Sequence, residues 1–462
     1  MYKNIDLIMP ESDEWYQQVH SGYTIMPPPS NLEILASYIN SKISNTRVRV
    51  YSDIKEINNN LASDFIGISD WFSNHQNAMN LAKKIKQRNP NCKIAVGGPN
   101  ASNLGARILK NNSYVDYLVC GDGEEALVGL IELKEGKRQL TDVPNLWHRN
   151  EKGEAEYTFN QNISLNDSPL FDFSHLMIPQ LEQYDSRRSN FISDVTRTPV
   201  PISSIRGCVK AMKLGRCSFC SMPTKGIRIM KPEKVWEQVT ALNNQYGIVE
   251  FFETGDDFII GNYPKQLLKA KPKDLDVSFR IYTTPDKVSS EVAHTLRHLG
   301  VREIFMGIEN INPVILRRAN KFYDVSKVED SVKNCEQEGI MVFLPFMFGL
   351  PGETEETAKK NHEFAHMLVG KYKNVNRILY SLVVPVVGCD LFKELASDRK
   401  IQRQYPEILW QDKLDYLKLT KLSIEKFCKV SLDSLLQFVN SPPKLSSQIV
   451  GSYGPRLITG NV

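Results

Sequence analysis

The sequence contains no run of about 18 apolar residues, the least that a membrane-spanning helix needs. Its opening, MYKNIDLIMPESDEWYQ, lacks a basic stretch followed by an apolar one. A cytoplasmic protein without a membrane partner is expected. Neither sign of charge dominates, because 57 basic and 53 acidic side chains leave a formal net charge of +4. Nor is there a long basic stripe of the kind nucleic acid attracts, so no nucleic-acid partner is expected. Repeats and low-complexity tracts are missing. Cysteine is scarce: eight in 462 residues cannot form a disulfide framework. Five of them, Cys92, Cys120, Cys335, Cys389 and Cys428, are scattered and read as small buried side chains. The remaining three crowd into RGCVKAMKLGRCSFCSMP, residues 206–223.

What is present divides the chain, which is too long for one compact core. Over residues 1–140, short apolar runs (5–9, 47–51, 64–69, 93–98, 115–121) alternate with stretches of helical spacing (31–43, 77–88, 101–111, 123–136). This alternation predicts a doubly wound, Rossmann-like parallel sheet, in which ligands sit beyond the carboxyl ends of the strands. Those ends carry SDWFSN, GGPNAS and GDGEEA. The glycines Gly97, Gly98, Gly121 and Gly123 let backbone approach a ligand, and the following helix starts offer N–H donors. Residues 141–195 show no sustained period and read as an ordered connector. From 196 to 390 a second series begins, with strands expected near 200–205, 249–255, 277–284, 301–309, 341–350 and 377–385. Helices are expected over 232–247, 289–300, 326–339 and 354–370. Six strands with intervening helices predict a partial barrel whose chemistry lies at the C-terminal strand ends. Residues 391–462 are expected as a small helical cap.

Cys208, Cys217 and Cys220 follow the first barrel strand. A structural zinc site wants four ligands, usually as two separated pairs, and only one close pair is present. Three thiolates on one loop suit a 4Fe–4S cluster with one iron left open to a substrate or cofactor. At these residues the sequence resembles the radical S-adenosylmethionine (radical SAM) enzymes, whose cysteine loop follows the first strand of a partial barrel. The resemblance covers residues 200–390 and includes an aromatic before the last cysteine, here Phe219. It implies that S-adenosylmethionine chelates the open iron and is cleaved to a 5′-deoxyadenosyl radical. It also implies roles for further residues: Asp256 and Asp257 of ETGDDF for the ammonium, Glu309 of GIEN for the ribose, Arg317 or Lys321 of LRRANK for the carboxylate, and backbone at Gly349 and Leu350 of FGLPGET beside the adenine. The sequence departs from the common pattern in the eight residues between Cys208 and Cys217, and in VVPVVGCD, where Cys389 reads as structural.

A doubly wound domain ahead of such a barrel resembles the cobalamin-binding branch of the family. The absence of Asp-x-His-x-x-Gly implies that no histidine of this domain holds the cobalt. Trp71 and Asn74 are candidates to border the lower face of the corrin, and Gly97, Gly98, Asn100 and Glu124 to meet its amides and tail. The resemblance implies a methyltransferase acting on an unactivated carbon of a small molecule or peptide, served by an electron donor such as flavodoxin or ferredoxin. The alternatives are a radical rearrangement or cyclisation without methyl transfer, a radical SAM enzyme without cobalamin, and a zinc-stabilised binding protein. Substrate contacts are expected from the cleft between domains, the barrel mouth and SYGPRL at 452–457.

Overall fold

A computed structural model describes residues 4–14, 29–51, 63–176, 200–224, 226–409 and 414–445; SYGPRL lies outside them. The first sheet contains β1 (Asn4–Ile8), β2 (Arg47–Tyr51), β3 (Phe65–Ser69), β4 (Lys93–Gly97), β5 (Tyr117–Val119), β6 (Leu146–Arg149) and β7 (Ala155–Tyr157). Their spatial order is β2-β1-β3-β4-β5-β6-β7. The first five strands pair in parallel, as expected for strands buried on both faces, and all five residues of β3 are buried. The sheet does not stop at residue 140, because β6 and β7 extend it as an antiparallel hairpin. The helix expected over 101–111 is two, Pro99–Leu104 and Ala106–Asn111, broken at Gly105 with φ 56°.

The second sheet opens with β8 (Val200–Ile202). A two-stranded ladder, β9 (Ile205–Arg206) with β10 (Arg228–Ile229), follows it. The series continues with β11 (Glu250–Glu253), β12 (Ser278–Thr283), β13 (Val301–Met306), β14 (Met341–Phe348) and β15 (Val375–Leu382). The six strands β8 and β11–β15 run parallel in the order β15-β14-β13-β12-β11-β8. Phe252, Tyr282, Phe305 and Phe343 come from four neighbouring strands and form an aromatic row, with successive ring centroids 5.1, 4.9 and 4.7 Å apart. Helix Tyr263–Ala270, between β11 and β12, is an addition to the expected set.

The C-terminal helices do more than cap the barrel. Leu391, Phe392, Leu395, Tyr405 and Leu419 share one apolar core with Ile66, Met79 and Ile94 of the first domain and with Leu350 and Val386 of the barrel. Leu435 and Val439 belong instead to the barrel's own core. The segment is therefore a wedge between the two sheets. Among the described residues, no helix is long and apolar enough to cross a membrane.

Phe392 is 2% exposed. Phe392→Ala is expected to destabilise the chain by about 3–5 kcal/mol, the usual result of emptying an aromatic site. The check is a lowered denaturation midpoint with an unchanged slope.

Candidate functional site

The cysteine loop is closed at its stem by the β9–β10 ladder, which pairs Arg206 with Arg228. Gly207 sits there at φ 102°, and a Cβ on it would collide with the carbonyl oxygen of Gly226. Both stem arginines reach into the first domain. Arg206 donates to Asp122 Oδ1 at 2.9 Å and to Glu124 Oε1 at 2.7 Å, while Arg228 binds both oxygens of Asp122. Burial works against the Asp122 charge, yet the two guanidiniums hold its carboxyl below the usual carboxylate range. Farther along the loop, Asn103 of the first domain donates to the Ser221 carbonyl at 2.7 Å. Asn320 Nδ2 donates to the carbonyls of Leu214 at 3.2 Å and Arg216 at 2.6 Å.

The long spacer between Cys208 and Cys217 contains a helix, Val209–Leu214, with Cys208 at its N-cap. The thiols of Cys208, Cys217 and Cys220 are free and partly exposed. Among the described residues, no three His, Cys, Asp or Glu side chains gather around a point as a single metal ion requires. The loop offers three sulfurs, one ligand short of a structural zinc site, which fits an iron–sulfur cluster with one iron left open. Burial raises the Cys217 thiol, and Lys321 and Lys210 oppose that rise. Cys92, Cys335 and Cys389 are buried as expected, with the first two pushed up to about 12, whereas Cys120 and Cys428 are partly exposed. Cys389 serves as a helix cap, its sulfur accepting from the Phe392 N–H at 3.4 Å.

Of the expected S-adenosylmethionine contacts, Glu309 and Lys321 converge on the thiols. Glu309 has φ 62°, a conformation non-glycine residues seldom adopt, and its backbone bonds to Pro345 and Met347 hold it there. Lys321 Nζ lies 3.1 Å from Glu309 Oε1. Burial disfavours its charge, but Glu309 and then Cys217 outweigh burial and raise the ammonium. A Cβ on Gly307 would lie 3.0 Å from that Nζ and 3.1 Å from Glu309 Oε1, so glycine keeps this cradle open. Asp256 faces the loop, accepting the Gly207 N–H, and burial raises its carboxyl. Asp257 is engaged elsewhere: it pairs with Lys287 and accepts from Thr283 Oγ1 at 3.2 Å. Arg317 is exposed, while Phe219 and Leu350 pack on the core between the domains.

Two buried glutamates went unnoticed in the sequence. Glu253 accepts from Ser204 N at 3.1 and 3.0 Å and from Gly255 N at 2.9 Å, tying the end of β11 to the root of the cysteine loop. Glu353 accepts from Asn310 Nδ2 at 2.9 Å and from Gly349 N, tying the turn after β13 to the turn after β14. Burial raises both carboxyls to about 7.

On the first domain's rim, Gly98 has φ 121° and packs so closely on Asp70 that a Cβ would strike its carbonyl. Asn100 donates to both Asp70 oxygens at 3.2 Å, and its own buried Oδ1 has no hydrogen-bond partner. That acceptor and the open space beside Gly121 suit a ligand rich in amides, as a corrin is. Gly97, by contrast, rests against Val119. Asn74 is occupied, accepting from Trp71 N at 2.8 Å and donating to the Pro10 carbonyl at 3.1 Å. Glu124, expected to meet corrin amides, instead spends an oxygen on Arg206.

Asp122→Ala leaves two guanidiniums without their shared carboxylate. It is expected to destabilise the chain by about 3 kcal/mol, the low end for a buried pair because the arginines are partly exposed. It should also speed alkylation of the three loop thiols in the metal-free protein, measured by mass spectrometry. Glu353 titrates near 7 in the fold against an ordinary value of 4.5. The stability tied to its protonated form is complete below about pH 4.5 and lost as pH rises through about 7. Glu353→Gln should remove about 3 kcal/mol of that pH dependence. Denaturation at pH 5 and pH 8 reads it.

Residues 31–131 match the family described as B12 binding domain, and residues 202–365 that described as Radical SAM superfamily. An uncharacterised methyltransferase of Pyrococcus horikoshii is 23% identical over 443 residues, 92% of this chain and 91% of that one. The anaerobic magnesium-protoporphyrin IX monomethyl ester cyclase of Cereibacter sphaeroides is 24% identical over 322 residues, 68% of this chain but only 50% of the cyclase. The radical S-adenosylmethionine methyltransferase TsrM of Kitasatospora setae, solved with cobalamin and a 4Fe–4S cluster bound, shares the fold at TM-score 0.64 and 19% identity, over 86% of this chain and 76% of that one. With a B12-binding domain leading into a radical SAM domain, the chain is a member of the cobalamin-binding radical SAM enzymes, whose cofactors are a 4Fe–4S cluster, S-adenosylmethionine and cobalamin.

Proposed function

We propose that the protein is a methyltransferase acting on an unactivated carbon of a small molecule or peptide. The observation that carries this reading is the bonding of the cysteine loop to the strand-end rim of the first domain, through Arg206 to Asp122 and Asn103 to Ser221. That contact supports a reading in which a radical source works beside a methyl carrier. When bound, the cluster with S-adenosylmethionine supplies a carbon radical, and cobalamin supplies the methyl group.

The chain's own residues position and shield. Cys208, Cys217 and Cys220 offer the three thiolates. Lys321 and Glu309, paired beside Cys217, present a cation and a carboxylate to a zwitterionic ligand that also carries ribose hydroxyls. Asp256 offers a carboxylate for an ammonium. Phe219 and Leu350 close the apolar side of the site against water.

The likeness to the Cereibacter cyclase favours a second reading, radical ring closure without methyl transfer. The two separate in one experiment. Anaerobically reconstituted protein is incubated with reductant, S-adenosylmethionine labelled in its methyl group, and the small-molecule fraction of its host cells. Methyl transfer puts label into a product as deoxyadenosine is released; deoxyadenosine with an unlabelled product overturns it in favour of ring closure. Cys217→Ala and Cys220→Ala are each expected to reduce deoxyadenosine to background.

A further inference from the structure

Four of the eight histidines form two pairs spaced four apart, each on one helix: His294 with His298, and His362 with His366. Residues at that spacing stand on one face, the arrangement by which two imidazoles on a helix grip one cation. The ring centroids of the first pair lie 4.2 Å apart and those of the second 4.3 Å. What separates the pairs is the use of their ring nitrogens. His294 Nδ1 lies 3.2 Å from Glu338 Oε1, and His298 Nδ1 lies 2.9 Å from the His294 carbonyl oxygen. Both oxygens only accept, so both Nδ1 atoms donate, and in each neutral ring the lone pair rests on Nε2. Both rings are on exposed residues. In the second pair His366 turns its Nε2 to the Ser441 carbonyl at 3.4 Å, and the His362 Nδ1 is buried without a hydrogen-bond partner. With one nitrogen spent and another enclosed, that pair does not present two matched ligand atoms.

We propose that His294 and His298 form a site for a divalent transition cation of the zinc and nickel class, held by the two Nε2 atoms with water completing its shell. Imidazole suits such ions, whereas magnesium and calcium take oxygen ligands. Ligating histidines ordinarily donate their second ring N–H to a carboxylate or a backbone carbonyl, which fixes tautomer and orientation. Glu338 and the His294 carbonyl are those two partners. Among the described residues no third His, Cys, Asp or Glu joins the pair. Two protein ligands are fewer than the three or four of a resident ion, so this ion exchanges with solution. Lys271 donates to the His298 carbonyl at 3.2 Å and so meets the backbone of that residue rather than its ring. The pair stands on the helix Ser290–Leu299, which leads into the start of β13 at the end of the barrel opposite the thiols. An ion bridging residues four apart clamps the turn from which β13 begins.

The test is calorimetric titration of the reconstituted holoenzyme with nickel chloride, each variant being compared with wild type so that any uptake by the thiols cancels. Wild type should bind one more nickel ion per chain than either His294→Ala or His298→Ala, and magnesium chloride should show no such difference. Glu338→Ala removes no ligand and should keep the extra ion while weakening it about tenfold, the low end for losing a group that orients a ligand. His366→Ala should match wild type. Because both rings are exposed, far-ultraviolet circular dichroism should be the same for all forms. Nickel should also slow amide exchange at Leu299 and Gly300 in wild type and not in His298→Ala. Equal nickel uptake by wild type and both alanine variants at 294 and 298 overturns the site, and so does an extra ion that is lost with His366.

Discussion

One carboxylate, Asp122, holds two guanidiniums that stand opposite each other on a two-residue ladder. Placing three charged groups together at the edge of a domain junction is unfavourable unless each finds its partners, because desolvation is then repaid only by close, well-directed bonds. Here the geometry meets that condition. Glu124 takes the second fork of Arg206, and the Ile163 carbonyl accepts from Arg228 at 2.9 Å. The cysteine loop is thereby registered against the first domain before any cofactor is considered. Its far side is fixed by softer means, the amides of Asn103 and Asn320.

The same logic recurs inside the barrel. Glu253 and Glu353 each stand at or just past a strand end and gather donors from the neighbouring turn. Each fixes backbone that does carry the site: Glu253 the root of the cysteine loop, Glu353 the turns bearing Asn310 and Gly349. Neutral donors satisfy these carboxylates, but burial still makes their charge costly, so they hold geometry at the expense of a shifted titration.

The parallel strands were legible because burial on both faces leaves continuous apolar runs, as in β3 and β14. The cysteine loop was legible because three thiols in so poor a background admit few explanations. The hairpin β6–β7 was not, since short antiparallel strands with mixed faces give a weak period. Polar assignments fared unevenly for one physical reason. Sequence shows that Glu124, Asn74 and Asp257 stand at strand ends, but it does not show that Arg206, the Pro10 carbonyl and Lys287 already engage them. Glu353 was hidden in a Pro-Gly-Glu-Thr turn, where an acid looks like an ordinary helix cap.

The C-terminal wedge also fixes a sequence of events in time. Residues 391–419 leave the ribosome after both sheets have been made, and their apolar side chains join a core that also holds Ile66 and Leu350. The junction between the sheets is thus completed only once this segment has been made, later than either sheet.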